Sequence, residues 1–501
     1  MHTAMRRAGL AASTVLAVLV ALVACGGGGV GSNGTGSPVT IGLSVGTVSG
    51  LGSVIVDGTR HDDSVASVEV RRNGTESDVG DARLGHRVSL EFGPDAGGVQ
   101  VLQRVELLPA LVGRVHERTA DTLGVLGQTV TVNSDPARGP VTVFEAPLGS
   151  LADVRLGDAV EVHALTQRTG AAARDVRLVA SRIAPRSSLS GVRVSGTVAE
   201  LSTAGTGGAR SFRLGALTVA LPAAAAVLPQ GLALANGHAV TVFAAESAFD
   251  PATLGMAASQ VRVMAAGDPG ATLHRAGLVG AWSGTAFEVD GVALLVDAET
   301  QTVPAGRTVT DGAYVQVTAT QNGSGRWRAT RIEHLSGDSV SVSAELRGTL
   351  VDWSAATRSF RVRDTQVSLT EATRTDLGEC RATALADGLY VEVKGTATAQ
   401  GLRALSVACE QEPKGSKSRL ERRGVVLSVD TGARRLTLRR QPGDPVLTVT
   451  WTDQTYLGSS LNAAGLAALV GTSREIEVEG TLSADGLQMA ARKIKLREMR
   501  S

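Results

Sequence analysis

Along most of the chain, apolar and polar residues alternate with a period of two, which is typical of half-buried β-strands. Two clear examples are Phe287-Glu288-Val289-Asp290-Gly291 and Phe360-Arg361-Val362-Arg363. Asp-Gly and Asn-Gly pairs supply positive-φ positions for tight turns between strands; examples begin at Asp57, Asn73, Asp290 and Asp485. The best candidates for short helices are residues 461–469 and 223–228. The pattern predicts an all-β protein of short strands.

One arrangement of glycines recurs six times. Each copy opens with Gly-x-(Val/Leu/Trp), at Gly46, Gly113, Gly196, Gly280, Gly348 and Gly424. A Gly-x-x-Val step follows at Gly85, Gly157, Gly237, Gly312 and Gly388, and more loosely at Gly471. Each copy closes on a further alternating segment. A repeat of roughly 70–80 residues is one small structural unit, so we predict six modules.

Each module has room for three strands, a short helix or loop, and two more strands, which is the order of the OB-fold. We therefore expect a tandem array of about six small OB-like five-stranded barrels, each with at most one short helix and separated from the next by a short linker. The predicted modules 1 to 6 are residues 41–109, 110–187, 190–267, 275–337, 343–412 and 419–498.

The repeated unit resembles the bacterial domain of unknown function number 5666. Residues 286–289, 311–317 and 329–332 carry the resemblance most plainly, and it extends over residues 41 to 498. The resemblance implies tandem modules behind a lipoprotein signal and a Gly-rich tether in a bacterial envelope protein. It implies no catalytic activity and no catalytic residues.

The N-terminus has the features of an export signal. Arg6 and Arg7 precede an apolar run of 17 residues, 8–24, that is too short to span a membrane and ends in small residues. Leu22-Val23-Ala24-Cys25 resembles the bacterial lipobox, which implies lipidation of Cys25. We predict a signal peptide at 1–24 and a lipidated Gly-rich tether at 25–40. Gly26 follows the cysteine where an inner-membrane protein would carry aspartate, so we expect the outer membrane, with the protein facing the periplasm or the surface.

Charge is balanced over the chain but not along it. The formal net charge of +1 excludes a bulk polyanion binder. Residues 413–501, however, hold 15 Lys/Arg and nine Asp/Glu, a net charge of +6. We predict a possible polyanion contact in module 6, for lipopolysaccharide or cell-wall anions, formed by Arg422, Arg423, Arg434, Arg435, Arg439, Arg440, Arg492, Lys493, Lys495 and Arg497.

The remaining candidate chemistry is sparse. Cys380 and Cys409 lie within one module of an exported protein, so we predict a structural disulfide. The histidines other than His61 occur singly and are expected on surfaces or barrel rims: His86, His116, His163, His238, His274 and His334. No metal-binding, phosphate-binding or hydrolase motif was found, and only 14 residues are aromatic, too few for stacking sites for nucleic acid. We expect no enzyme activity, cofactor, metal or nucleic-acid partner.

Two functions remain open. The first is a non-enzymatic cell-envelope lipoprotein, a scaffold or binding protein held to the membrane by the lipid on Cys25. Its partners would be envelope proteins or cell-wall anions. The second is a periplasmic array that binds glycans or small anions through the variable loops of modules 2 and 3.

Overall fold

The computed structural model describes residues 43–51, 54–61, 67–70, 82–94, 100–172, 175–205, 208–264, 272–322, 325–335, 343–363, 365–380, 382–410, 420–439, 446–452, 455–458, 461–482 and 487–496. Within these ranges the protein is all-β, with a single short α-helix. No helix in the described ranges has the length and hydropathy that a transmembrane span requires.

The strands follow the repeat. Module 1 contains β1 (Leu43–Leu51), β2 (Val54–Val56), β3 (Thr59–His61), β4 (Ser67–Val70), β5 (Arg87–Pro94) and β6 (Gln100–Leu107). Module 2 contains β7 (Leu111–Arg118), β8 (Thr122–Val125), β9 (Gln128–Val132), β10 (Val143–Phe144), β11 (Ala159–Arg168) and β12 (Val176–Pro185). Module 3 contains β13 (Val192–Thr197), β14 (Arg210–Leu214), β15 (Leu217–Leu221), β16 (Ala226–Leu228), β17 (Ala239–Ala244), β18 (Phe249–Asp250), β19 (Gly255–Ala257) and β20 (Gln260–Val263).

The second half of the chain repeats this order. Module 4 contains β21 (Thr272–Gly280), β22 (Ala286–Val289), β23 (Val292–Leu295), β24 (Gln301–Val303), β25 (Tyr314–Gln321) and β26 (Trp327–His334). Module 5 contains β27 (Ser343–Ser354), β28 (Ser359–Val362), β29 (Thr365–Ser368), β30 (Arg374–Asp376), β31 (Tyr390–Thr398) and β32 (Gly401–Cys409). Module 6 contains β33 (Leu420–Asp430), β34 (Arg435–Arg439), β35 (Leu447–Thr450), β36 (Tyr456–Leu457), α1 (Ala463–Ala467), β37 (Glu475–Leu482) and β38 (Gln488–Leu496).

Several modules close into five-stranded barrels with OB-like topology. In module 5, β27 pairs antiparallel with β28 and β31, β28 pairs with β29, and β31 pairs with β32. A parallel pairing of β29 with β32 closes the ring. Modules 2, 4 and 6 have the same ring of pairings, which confirms the predicted fold class. Closure leaves few strand edges exposed.

The segment between the third and fourth barrel strands was expected to hold the helix, and a short strand lies there in each module. These strands pair in parallel with the last strand of the module, as β24 does with β26. The helix predicted at 223–228 is therefore wrong, because Ala226–Leu228 forms β16 and pairs with β20. The candidate at 461–469 contains α1, whose first turn is capped by Asn462. The side-chain oxygen of Asn462 accepts a hydrogen bond from the Gly465 amide.

The opening glycine allows the first strand to pass close to the second strand of the same barrel. A Cβ on Gly348 would lie 3.1 Å from Val362 Cγ1, and a Cβ on Gly277 would lie 2.8 Å from Val289 Cγ1. Gly277 is therefore the opening glycine of module 4, three positions before the predicted Gly280. The sequence prediction chose Gly280 because Gly280-Ala281-Trp282 also matches the motif Gly-x-(Val/Leu/Trp).

Several modules are joined to one another by strand pairing and shared cores. First strands pair between modules, β1 with β21 and with β27, and β7 with β13. One hydrophobic core combines buried residues of modules 2 and 3, and another combines those of modules 1 and 5. Barrels this small bury little apolar surface alone, so shared cores add to their stability.

Candidate functional site: a buried polar junction between modules

Several predicted site residues cannot be placed. Cys25, Arg440 and Arg497 lie outside the described residues, and so does the side chain of Arg492. Cys380 and Cys409 form a disulfide, with their Cα atoms 5.8 Å apart. This bond ties the turn at Gly378–Cys380 to the end of β32, where Cys409 is buried.

Among the described basic residues of module 6, some pair with a glutamate and others are exposed. Arg423 Nε lies 3.4 Å from Glu477 Oε2, and Lys495 pairs with the other oxygen of the same carboxylate. Lys493 is 6% exposed. Arg434 and Arg435 are exposed at the turn before β34, whereas Arg422 and Arg439 are half-buried. The prediction overlooked Glu477 of β37, whose carboxylate pairs with both Arg423 and Lys495.

The expectation that the histidines lie on surfaces is wrong for three of them. His86, His163 and His334 are 6%, 0% and 4% exposed. His86 and His163 belong to different modules, and their rings stack with centroids 4.5 Å apart. They are part of a larger group of buried polar side chains where modules 1, 2 and 4 meet. We call this group the buried junction; its central members are Thr47, Asp57, His86, Arg87, Glu161, His163, Asp290 and Tyr314.

Arg87 is the centre of the buried junction. Its side chain is 2% exposed and comes from the first residue of β5. Nη1 donates to Thr47 Oγ1 at 3.0 Å, while Nη2 donates to the Ala276 carbonyl at 3.1 Å and to the Asp290 carboxylate. Burial alone would lower the pKa of Arg87, but Asp290 and Asp57 raise it above its usual value. The guanidinium therefore stays charged and holds module 1 to module 4.

A reciprocal contact runs from module 4 to module 1. The Tyr314 hydroxyl donates to the Asp57 carboxylate, which also accepts the Thr47 amide at 3.0 Å. Asp57 and Asp290 occupy the same position in equivalent tight turns, with φ angles of 50° and 53° and a glycine after each. Each module thus offers a turn aspartate to the other. Burial and the neighbouring Asp57 charge raise the pKa of Tyr314 well above its usual value, so its hydroxyl remains a donor.

Module 2 completes the junction. The Thr166 amide donates to Asp290 Oδ1 at 2.8 Å, and Gln167 Nε2 donates to the Val279 carbonyl at 3.1 Å. Arg168 Nε lies 2.9 Å from both carboxylate oxygens of Glu288. Three successive residues at the end of β11 therefore bind module 4.

The stacked histidines lie where module 1 meets module 2. The Arg87 amide donates to His163 Nδ1 at 3.1 Å, and His163 Nε2 lies 3.2 Å from Glu161 Oε1. Burial lowers the pKa of both histidines, and the charge of Arg182 lowers them further. Burial would raise the pKa of Glu161, but Arg186 and His163 hold it well below its usual range. The contact between modules 1 and 2 therefore contains two neutral imidazoles and one ionised carboxylate.

A cavity of about 20 Å³ lies beside Asp57, with walls from modules 1, 2 and 5. Thr47, Ser49 and Asp57 are its polar side chains, and Val143, Ala344 and other small apolar residues form most of the rest. The volume suits about one water molecule. No group of three or more potential metal ligands occurs in the part of the chain that the structure describes. The buried junction can therefore fix modules relative to one another, and its groups mostly bond to each other.

Sequence reasoning identified Asp57 and Asp290 as turn residues but missed their role in this site. Arg87 and Tyr314 occupy the same position in their modules, two residues after Gly85 and Gly312. In a lone barrel this position points outward. Two features of the sequence could have indicated the junction. Modules 1 and 4 carry Arg87 and Tyr314 at the same outward position, and both modules also contain an Asp-Gly turn.

The model of the family described as Domain of unknown function (DUF5666) matches residues 112–184, 276–333 and 347–408. These segments fall in modules 2, 4 and 5, so the resemblance is confirmed and the domain is repeated in the chain. No curated protein matches the chain. Among solved structures, "drosophila Unr CSD456" is similar, at 13% sequence identity and a TM-score of 0.12, over 43% of this chain and 96% of that chain. At this TM-score the similarity carries no argument.

Replacing Arg87 with methionine will destabilise the contact of modules 1 and 4 by about 3–5 kcal/mol, because the carboxylate of Asp290 loses its closest cation and keeps only Arg275, at 3.7 Å. Chemical denaturation, followed by hydrogen exchange in β5 and β25, measures the loss. The matched control is Arg331→Met, which removes a half-exposed ion pair with Glu333 and should change stability by less than about 1 kcal/mol. Equal effects of the two substitutions would contradict the assigned role of Arg87.

The stability contributed by Asp57 will fall as the pH rises from about 4 to about 6. Burial raises the folded-state pKa of Asp57 from 3.8 to about 6, so the folded protein binds the proton more tightly than the unfolded chain over this range. At about 1.4 kcal/mol per unit, the change amounts to about 3 kcal/mol. The measurement is the unfolding free energy of the wild type minus that of Asp57→Asn at each pH. A difference that stays constant from pH 4 to pH 6 would refute the assignment.

Proposed function

We propose that this chain is a non-enzymatic cell-envelope lipoprotein, a rigid modular scaffold that presents binding surfaces at a distance from the membrane. The observation that carries the proposal is the buried junction, where Arg87, Asp57, Asp290 and Tyr314 bond to one another across two modules. Charged groups that are buried and satisfied in this way suit a fixed arrangement of modules better than turnover of a substrate.

The membrane attachment rests on the sequence of the N-terminus. Arg6 and Arg7, the apolar run and Leu22-Val23-Ala24-Cys25 occur in the order of a lipoprotein signal. Acyl chains on one cysteine contribute about 0.8 kcal/mol for each buried CH₂ group, so two or three chains hold a large soluble domain firmly. Residues 26–37 are mostly glycine and serine, a composition suited to a flexible tether. The outer membrane is the proposed location.

The proposed partners are anions of the cell wall or of lipopolysaccharide, or other envelope proteins. Arg434 and Arg435 support an anionic partner, because both are exposed at one turn of the module with the largest positive charge. Arg423 and Lys495 contribute less, since they pair with Glu477.

The alternative of a ligand-binding array has less support in module 2. Its long loop before β11 makes contacts within the protein, because the Phe144 amide donates to the Ala399 carbonyl at 2.7 Å. The same loop places Gly139 beside the ring of Tyr314. A loop used in this way has less surface left for a glycan or a small anion.

Replacing Cys25 with serine should release the chain from the membrane fraction and abolish its labelling with palmitate, because the serine hydroxyl does not replace the thiol that accepts the lipid. Cell fractionation and palmitate labelling of the full-length chain measure both effects. Cys380→Ser/Cys409→Ser is the matched control and should keep the label. Labelling that persists in Cys25→Ser would exclude this anchor.

Binding of the full-length chain, in detergent, to purified sacculi and to lipopolysaccharide should weaken severalfold in Arg434→Ser/Arg435→Ser and should fall as salt rises, because exposed charges are screened. The control Arg374→Ser/Arg403→Ser removes two exposed arginines from module 5 and should bind as the wild type does. If no version binds at low salt, the anionic partner is wrong. Protein partners would then be sought by cross-linking in cells.

A further inference from the structure

We propose that the contact between modules 1 and 2 is an acid-labile joint, which opens when the stacked imidazoles of His86 and His163 take up protons. The joint consists of residues 82–87 of module 1 and the facing parts of β11 and β12. This inference goes beyond the proposed function and does not depend on a location in the envelope.

Hydrogen bonds fix both imidazoles in their neutral form. His163 Nδ1 accepts the Arg87 amide at 3.1 Å, so its proton is on Nε2, which faces Glu161. His86 Nδ1 accepts the Arg83 amide at 3.2 Å. A second proton on either ring would have to bind at Nδ1 and would break one of these bonds. For His163, the broken bond is one that joins the two modules.

The charges around the stack oppose protonation. The charged groups that act on the two rings from the elements packed against them are the guanidinium groups of Arg83, Arg182 and Arg193 and the carboxylate of Glu161. Behind them, Arg186 pairs with Glu161, and Glu145 pairs with Arg182. The two rings would also repel each other if both were charged, at a centroid distance of 4.5 Å. Glu161 favours protonation, but its oxygens are already bound by Arg186 and His163. The joint thus binds protons less readily than separated modules do.

The remaining contacts of the joint combine polar groups with the buried side chain of Leu84, which shares a hydrophobic core with Val143 of module 2. Arg83 Nη1 also lies 3.8 Å from Glu145 Oε2. Ser181 Oγ donates to the Gly85 carbonyl at 2.7 Å, and Arg182 Nη1 donates to the Leu84 carbonyl at 3.0 Å. Gly85 fits closely, because a Cβ there would lie 2.4 Å from the Ser181 carbonyl oxygen. Residues 82–86 precede β5 and can separate from β12 while β1 stays paired with β21. The opening is therefore local.

The sign of the pH effect follows from these contacts. Both histidines have a pKa below 6.5 in the closed joint, whereas in the open joint they titrate near 6.5. Opening then takes up protons, so acid favours it. Between pH 7.5 and pH 5.5 the opening equilibrium should rise, by at most about tenfold for each histidine and about a hundredfold for both.

Hydrogen exchange on the full-length chain at pH 7.5 and pH 5.5, corrected for the intrinsic pH dependence of exchange, tests the joint. The opening equilibrium reported by peptides from residues 82–92 and 176–185 should rise at pH 5.5, by up to about a hundredfold, while that of β34 in module 6 should not change. In His86→Asn/His163→Asn, the asparagine side-chain oxygens can still accept the Arg83 and Arg87 amides but cannot take up a proton. The increase in opening at pH 5.5 should therefore disappear. Asp57 titrates in both proteins, so its effect cancels in the comparison.

His238→Asn is the matched control. His238 follows Gly237 as His86 follows Gly85, and its Nδ1 accepts the Ala235 amide at 3.3 Å, but it lies outside the stack. This variant should open with acid as the wild type does. A wild type whose joint does not open at pH 5.5, or a double variant that opens as much as the wild type, would overturn the proposal.

A second measurement covers the case in which the double variant does not fold. The imidazole Cε1 resonances of His86 and His163 in the wild type should titrate together with the exchange of residues 82–92. If either ring titrates near pH 6.5 while that exchange stays unchanged, the proposal is wrong.

Discussion

The burial of one guanidinium group constrains the whole assembly of barrels. Arg87 cannot lose its proton, and it is removed from water in a region where two modules meet. A buried cation requires carboxylates and hydrogen-bond acceptors nearby. Module 1 supplies Asp57 and Thr47, but Asp290 and the Ala276 carbonyl come from module 4. Separating these modules would leave Arg87 without half of its partners.

This constraint explains why the modules are joined while each keeps the same barrel. The strand pairing inside a barrel is satisfied by the module itself, whereas outward polar residues of β5, β11 and β25 also bond to neighbouring modules, as Arg87, Gln167 and Tyr314 do. Apolar side chains are likewise buried partly within single modules and partly between modules. Module 4 has a core of its own, while modules 1 and 5 share theirs. The polar junction sets the relative positions, and the shared cores add apolar burial around it.

The period-two pattern and the glycine steps were enough to predict all-β modules and an OB-like strand order, because these depend on contacts within one repeat. Residues 223–228 were assigned wrongly, since an alanine run can form either a short helix or the strand β16, and pairing with β20 decides. The junction could not be predicted in the same way. Arg87, His86 and His163 lie on outward positions, and only the neighbouring module buries them.

A single repeated position shows how a barrel acquires partners. In modules 5 and 6 an arginine just before the opening glycine lies opposite a glutamate of the fourth barrel strand, as Arg347 does with Glu392 and Arg423 with Glu477. The corresponding pair in module 2 is Val112 and Glu161. Without an arginine at 112, Glu161 pairs with Arg186 and His163, and β13 of module 3 lies against β7 with Arg193 opposite Val112. Where a barrel has no arginine before its opening glycine, the facing glutamate is satisfied by other side chains, and the vacant position can lie against the first strand of the next module.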